Sequence, residues 1–166
     1  MDYERFMKKA IGLAKEAFLA GEFPVGCVIV SGDQVIAEGR RRNSRGGLAN
    51  ETDHAEMNAL RRLSETGPHE NYEDFTLFTS LEPCLMCFGA IILSGVGKIV
   101  YAYEDVMGGG VGCALNSLTP LYKNSGIRVE GGVLRMESLD LFKKYFSDSG
   151  NDYWANSLLA THALSQ

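Results

Sequence analysis

The chain has 166 residues, 45% of them hydrophobic and 22% charged, which predicts one domain, residues 1–166, large enough to bury a core without disulfide staples. Its formal net charge is −5, which argues against a protein that grips a nucleic-acid backbone over its whole surface, because such proteins are basic; a local basic patch stays open. No apolar run is long enough to span a bilayer, and the polar start Met1-Asp2-Tyr3-Glu4-Arg5 lacks signal-peptide character, so a cytoplasmic location is expected.

Taken in order, Tyr3 to Ala20 carries apolar residues at helical spacing, and Gly21 stops it. Val25 to Val30 is a β-branched run, Ser31-Gly32-Asp33 a turn, and Gln34 to Gly39 a returning strand, which together read as a hairpin. Arg40 to Thr52 is a polar loop containing Gly46-Gly47. Asp53 to Ser64 is a helix broken by Thr66-Gly67-Pro68. Phe75 to Thr79 is a strand, Pro83 opens a helix to about Ser94, and Lys98 to Tyr103 is another strand. Met107 to Gly112 is a glycine-rich irregular loop. Ile127 to Glu130 is a short strand, Glu137 to Phe146 an amphipathic helix, and Asn151 to Leu164 a last helix. Strands alternating with helices predict an α/β fold, a three-layer α/β/α sandwich.

Two short motifs carry chemistry. His54-Ala55-Glu56 is followed by Pro83-Cys84-Leu85-Met86-Cys87. His54, Cys84 and Cys87 are three good ligands for one zinc ion, and Glu56 is a carboxylate not needed as a ligand. Structural zinc sites are normally closed by four protein ligands, whereas catalytic ones keep a position open for water. Cys84 and Cys87 share a helix face at i, i+3. A helix N-terminus beside them favours thiolate. Singly, each residue has a plainer reading. The cysteines could be a redox pair, Glu56 the partner of Asp53 in a capping box, and His54 a structural residue. The joint pattern favours metal. Cys27 reads as a buried small hydrophobe, and Cys113 follows the glycine loop. If either completed a fourth bond, the chain would be a non-catalytic zinc-stabilised interaction domain.

His-x-Glu followed by Pro-Cys-x-x-Cys resembles the cytidine deaminase superfamily of zinc deaminases. Gly21-Glu22-Phe23-Pro24-Val25-Gly26 resembles that family's entry to the first strand. Ser80-Leu81-Glu82-Pro83-Cys84-Leu85-Met86-Cys87 resembles bacterial tRNA adenosine deaminases and guanine deaminases. The resemblance runs from about Tyr3 to Phe146. It implies a central five-stranded mixed sheet, one zinc ion per subunit and a homodimer. It further implies a water activated by the zinc, with Glu56 as general base and then general acid. The substrate contacts it implies are Asn43 on the base edge, backbone N–H groups near Ala55 or Cys84, Phe23 and Pro24 at the strand entry, and Asp105 near a ribose. Asp53 departs from the family, where Ala commonly precedes the ligand His.

The motifs do not choose the base. Arg40, Arg41, Arg42 and Arg45 form a basic cluster that reads equally as a phosphate site or a solvated strand end. Gly150 to Gln166 has no Lys or Arg, whereas tRNA-acting relatives tend to have a basic C-terminal helix. Residues 147–166 are expected to form a tail that packs at helical spacing, with Tyr153 or Trp154 covering the site. The expected substrate is a free nucleobase or nucleoside, guanine-like or cytosine-like, with a tRNA adenosine deaminase as the alternative.

Overall fold

The computed structural model describes residues 1–45 and 50–166, so the Gly46-Gly47 part of the polar loop lies outside the described residues. Five strands form one mixed sheet in the order β2-β1-β3-β4-β5: β1 Gly26–Ser31, β2 Gln34–Arg40, β3 Thr76–Leu81, β4 Lys98–Tyr103 and β5 Arg128–Gly131. β1 pairs antiparallel with β2 and β3, while β3, β4 and β5 run parallel. The helices are α1 Tyr3–Leu19, α2 Ala55–Glu65, α3 Leu85–Leu93, α4 Pro120–Lys123, α5 Arg135–Ser147 and α6 Leu158–Ser165. None of them is long and apolar enough to cross a membrane.

Side chains of the central strands divide by parity, as strand geometry requires. Cys27, Ile29, Leu77, Leu81, Ile99 and Tyr103 pack with α2 and α3 on one face. Val28, Val30, Phe78, Val100 and Ala102 pack with Phe6, Met7, Ala10 and Ile11 of α1 on the other. β1 and β3 are therefore buried on both faces, which is why they read as continuous apolar runs. α5 lies against α1 and β4, and α6 against α5. The expected α/β/α sandwich with a five-stranded mixed sheet is what forms.

Most element boundaries shift by a residue or two from the sequence reading, and the starts of α3, α2 and α6 bear on the site. α3 starts at Leu85, not Pro83: Cys84 is its N-cap, with extended φ −66° and ψ 169°. Pro83 stands before the cap, where its carbonyl accepts Gly110 N–H at 2.8 Å. α2 starts after His54, which is its N-cap, so Asp53 neither begins nor caps the helix. α6 starts at Leu158, not Asn151, because Ser157 caps it by accepting Ala160 N–H at 3.1 Å. Trp154, at φ +57°, holds the preceding turn in the left-handed region, which no helix continues through. The short α4 lies in the crossover that the parallel β4–β5 pair requires; its four residues are too few for a periodic signal.

Candidate active site

The site lies at the edge of the sheet where β3 and β4 end. Because β1 runs opposite to β3, its entry Phe23–Val25 reaches the same edge, and so does the exit of β2. Chains leaving parallel strands at this edge are where α/β folds build sites. α2 packs closely on β2 because Gly39 has no Cβ; one there would run into the backbone of Ala55 and Ala59. That close approach sets His54 beside the start of α3.

His54 Nδ1 lies 3.5 Å from Cys84 Sγ and 3.5 Å from Cys87 Sγ. Tetrahedral zinc with Zn–N and Zn–S bonds of ordinary length puts nitrogen and sulfur about 3.6 Å apart, so the three ligand atoms already fit the ion. They form a group able to hold a metal ion, and among the described residues it has three members. Cys27 is fully buried in β1 and outside the group, and its thiol is pushed well above the ordinary value by burial and by the Glu56 carboxylate. Cys113 is half-buried and also outside it. The four-ligand, purely structural arrangement is absent among the described residues.

His54 caps α2, Cys84 caps α3, and Cys87 stands in the first turn of α3, so two helix N-termini, each partly positive, converge on the thiols. The Cys84 thiol is drawn down to about 4, chiefly by a hydrogen bond from Cys87 and further by His54. Cys87 moves upward because it donates that bond and is buried; a metal ion takes both as thiolates. Burial pulls the His54 ring downward, but the Cys84 sulfur and the Glu56 carboxylate outweigh it, and the net shift is upward.

Glu56 is 3% exposed. The Thr79 hydroxyl donates to its Oε1 at 2.7 Å, and Cys87 Sγ lies 3.5 Å from Oε2. Burial raises its carboxyl above the ordinary range, with His54 and the Thr79 hydrogen bond pulling partly back. A carboxyl poised upward beside an open metal position is suited to carry protons in both directions.

Above the ligands is a cavity lined by Phe23, Ala55, Asp105, Tyr153 and Trp154, all named in the sequence reading as site residues, and also by Arg41, Glu51 and Glu82. Asp105 also holds its own loop: its Oδ1 accepts Met107 and Gly108 N–H, both at 2.9 Å. The glycine loop closes on α3 because Gly110 has no Cβ, which would sit 2.5 Å from Leu85 N. Two expected contacts lie elsewhere. Pro24 is buried outside the lining, and Asn43 donates its side-chain amide to Asp53 at 2.6 Å. Asn43 has φ +54° and is not among the residues lining the cavity. Asp53 accepts from Asn43, Asn50 and Arg61, so it ties the loop to α2 instead of capping the helix.

The residue that β2 delivers to the cavity is Arg41. Ala37, Gly39 and Arg41 are buried at alternate positions, while Glu38 and Arg42 are exposed. Strand parity, extended one residue past β2 by the Arg41 N–H to Val25 carbonyl bond of 2.9 Å, separates Arg41 from the rest of the basic cluster. That parity was readable in the sequence. Tyr153 comes from the tail: its ring packs on Phe23 at 5.3 Å, and its hydroxyl donates to Glu51 at 2.8 Å.

Residues 1–103 match the cytidine and deoxycytidylate deaminase zinc-binding region. The chain is 36% identical over 145 residues to a tRNA-specific adenosine deaminase of Bacillus subtilis, covering 87% of this chain and 89% of that one. A structure from work on A-to-I editing by tRNA:A34 deaminases superimposes with a TM-score of 0.67 at 27% identity, over 82% of this chain and 98% of that one. Guanine deaminase from Nitrosomonas europaea gives 0.68 at 27% identity, over 86% and 83%. A match across more than half of the chain agrees with the convergence of His54, Cys84 and Cys87, and the protein belongs to the cytidine and deoxycytidylate deaminase zinc-binding family, a zinc-dependent hydrolytic deaminase.

Proposed function

We propose that the chain deaminates a small amino-bearing nucleobase or nucleoside, guanine-like or cytosine-like, to its oxo form with release of ammonia. The observation that carries this reading is the charge of the cavity. Among the described residues its lining holds the carboxylates Glu51, Glu56, Glu82 and Asp105, with Arg41 as its one Lys or Arg. RNA binding draws on phosphate neutralisation by Lys and Arg, and this lining offers one Arg, already paired with Glu51. The tail supports the same reading, because Tyr153 and Trp154 line the same cavity as His54 and Glu56.

In this reading zinc is held by His54, Cys84 and Cys87 and supplies Lewis-acid activation of water at neutral pH. Glu56 accepts a proton from the attacking water and passes one to the ring nitrogen. It then takes the proton of the added hydroxyl and delivers it to the departing amine, which leaves as ammonia as the C–N bond breaks and the ring carbon keeps the oxygen as C=O. Thr79 keeps the Glu56 carboxylate aimed at the metal position. Ala55 stands at the first helical position of α2, where backbone N–H groups have no intrahelical partner, and offers a donor to the base. Phe23, Leu81 and Leu159 supply apolar wall.

A second reading, adenosine deamination at the wobble position of tRNA, is favoured by the curated relatives, which are named tRNA-specific adenosine deaminases. One experiment separates the two. Zinc-loaded protein is incubated with bases, nucleosides, nucleotides and a tRNA anticodon stem-loop, and ammonia and inosine are measured. Ammonia from a free base or nucleoside supports the first reading, and inosine in the stem-loop alone overturns it. The chain also offers a surface for a second copy. Leu85 and Leu93 on α3 are each 62% exposed, and Leu121 of α4 is 56% exposed. We assign this face to a homodimer, which light scattering on the purified protein and on Leu93→Glu tests.

A further inference from the structure

We infer that Arg41, held by Glu51 and Tyr153, determines specificity by donating to a carbonyl oxygen of the base while Glu51 accepts from the neighbouring ring N–H. The inference rests on the reading of the substrate as a small base. It begins from a placement that stability alone does not explain. Arg41 is 2% exposed, and burying a guanidinium is costly unless it is well paired. An aliphatic residue at the same inward position of the strand would pack without that cost.

The guanidinium is instead held on three sides. Nη1 donates to the Asn50 carbonyl at 2.8 Å. Nη2 donates to Glu51 Oε2 at 3.4 Å and to the Tyr153 hydroxyl at 3.3 Å. The Tyr153 ring lies 5.5 Å from the guanidinium carbon. A side chain gripped this way keeps one orientation, and it lines the cavity that also contains His54, Glu56 and Cys84. Glu51 has a different balance. Its Oε2 receives Arg41 and Tyr153, while Oε1 has no hydrogen-bond partner among the described residues and the side chain is 57% exposed. Glu51 and Arg41 thus set an acceptor next to a donor on one wall of the cavity.

The complement of that wall is a base edge that sets an N–H beside a C=O. Guanine carries it at N1–H and the 6-oxo group, and cytosine at N1–H and the 2-oxo group. Adenine, 2-aminopurine and 4-aminopyrimidine do not. A phosphate is a poor fit, because the Arg41 charge is already paired with Glu51 and three further carboxylates line the cavity.

The test compares kcat/KM of the zinc-loaded protein for guanine against 2-aminopurine and for cytosine against 4-aminopyrimidine, pairs that differ in the oxo edge. Arg41→Gln, Glu51→Gln and Tyr153→Phe are measured beside the parent. Loss of a charged hydrogen bond predicts a fall of about tenfold or more on the oxo base and little change on its partner. Trp154 is the single Trp of the chain and lines the cavity, so its fluorescence reads base affinity independently of turnover. Should Arg41→Gln fail to fold, the half-exposed Glu51 and the Tyr153 hydroxyl still carry the comparison. If small bases release ammonia but the paired ratios do not move, or if the parent prefers the bases without the oxo edge, this inference fails and the reading of the substrate class stands. If the stem-loop alone is deaminated, both fail.

Discussion

Replacing Glu56 by Gln removes the charge and keeps the shape. Gln retains an oxygen that can accept the Thr79 hydroxyl, which now stands 2.7 Å from Oε1, so the buried side chain has no reason to move. None of the three metal-ligand atoms belongs to Glu56, so zinc is expected to stay at one ion per chain. What disappears is a group able to take and return protons, a function worth about 10²–10⁴ in rate. That is about 2.7–5.5 kcal/mol on the barrier. The assay is initial-rate ammonia release at saturating base, with zinc measured on the same sample by a chelator dye. A fully zinc-loaded Glu56→Gln protein that keeps more than a tenth of the parent rate refutes the proton-carrier role. A variant that loses zinc points instead to Glu56 acting through Cys87, whose sulfur lies 3.5 Å from Oε2. Thr79→Ala removes a single hydrogen bond of about 1 kcal/mol and is expected to slow turnover by about tenfold or less, clearly apart from the Gln variant.

Cys87→Ala is expected to abolish zinc binding, whereas Cys27→Ala, outside the ligand group, is expected to leave stoichiometry unchanged; equal zinc content in the two refutes the assignment. Gly110→Ala places a methyl 2.5 Å from Leu85 N and 2.6 Å from Leu85 Cα, atoms that cannot give way. Overpacking of this kind costs about 1–3 kcal/mol, so a lower Tm and faster zinc loss to a chelator are expected, and an unchanged Tm counts against that account. Glu104 accepts from Arg135 Nε at 2.7 Å and also pairs with Arg135 Nη2. The Arg135 hydrogen bonds draw its carboxyl down from the ordinary 4.5 to about 2. A depressed carboxyl contributes stability that is present above its unfolded value and lost as pH falls through its folded one. The Tm of the parent is therefore expected to fall between pH 4.5 and 2 more steeply than that of Glu104→Gln, and parallel curves contradict this.

Much of the fold follows from local pattern. The runs at β1, β3 and β4 are apolar because both sheet faces are covered, and the helical spacing of α1 and α5 appears directly in the chain. The boundaries at Pro83 and Asn151 were misplaced for a common reason. Helix starts are set by which residue satisfies the first free N–H groups, and by backbone angles such as that of Trp154, and neither is a matter of residue type alone. In the site, the sequence suffices for residues whose chemistry is rare. His54, Glu56, Cys84 and Cys87 have few other uses in combination. It says less where the residue type is common: Asn43 is expected on the base edge, and in the structure its side-chain amide donates to Asp53.

The spacing of His-x-Glu and Pro-Cys-x-x-Cys by itself pointed to an open zinc centre with a carboxylate beside it, because three ligands leave a position for water; removal of an amino group came from the likeness of those motifs to zinc deaminases. Tertiary structure alone decided what surrounds that centre. Arg41 just past β2 and Glu51 on the following loop are far along the chain from Tyr153 in the tail, and no local propensity links the three. They meet because β2 exits at the edge where the tail docks on Phe23. Selection of a base depends on donors and acceptors placed within hydrogen-bond distance of one another, and long-range packing fixes those distances.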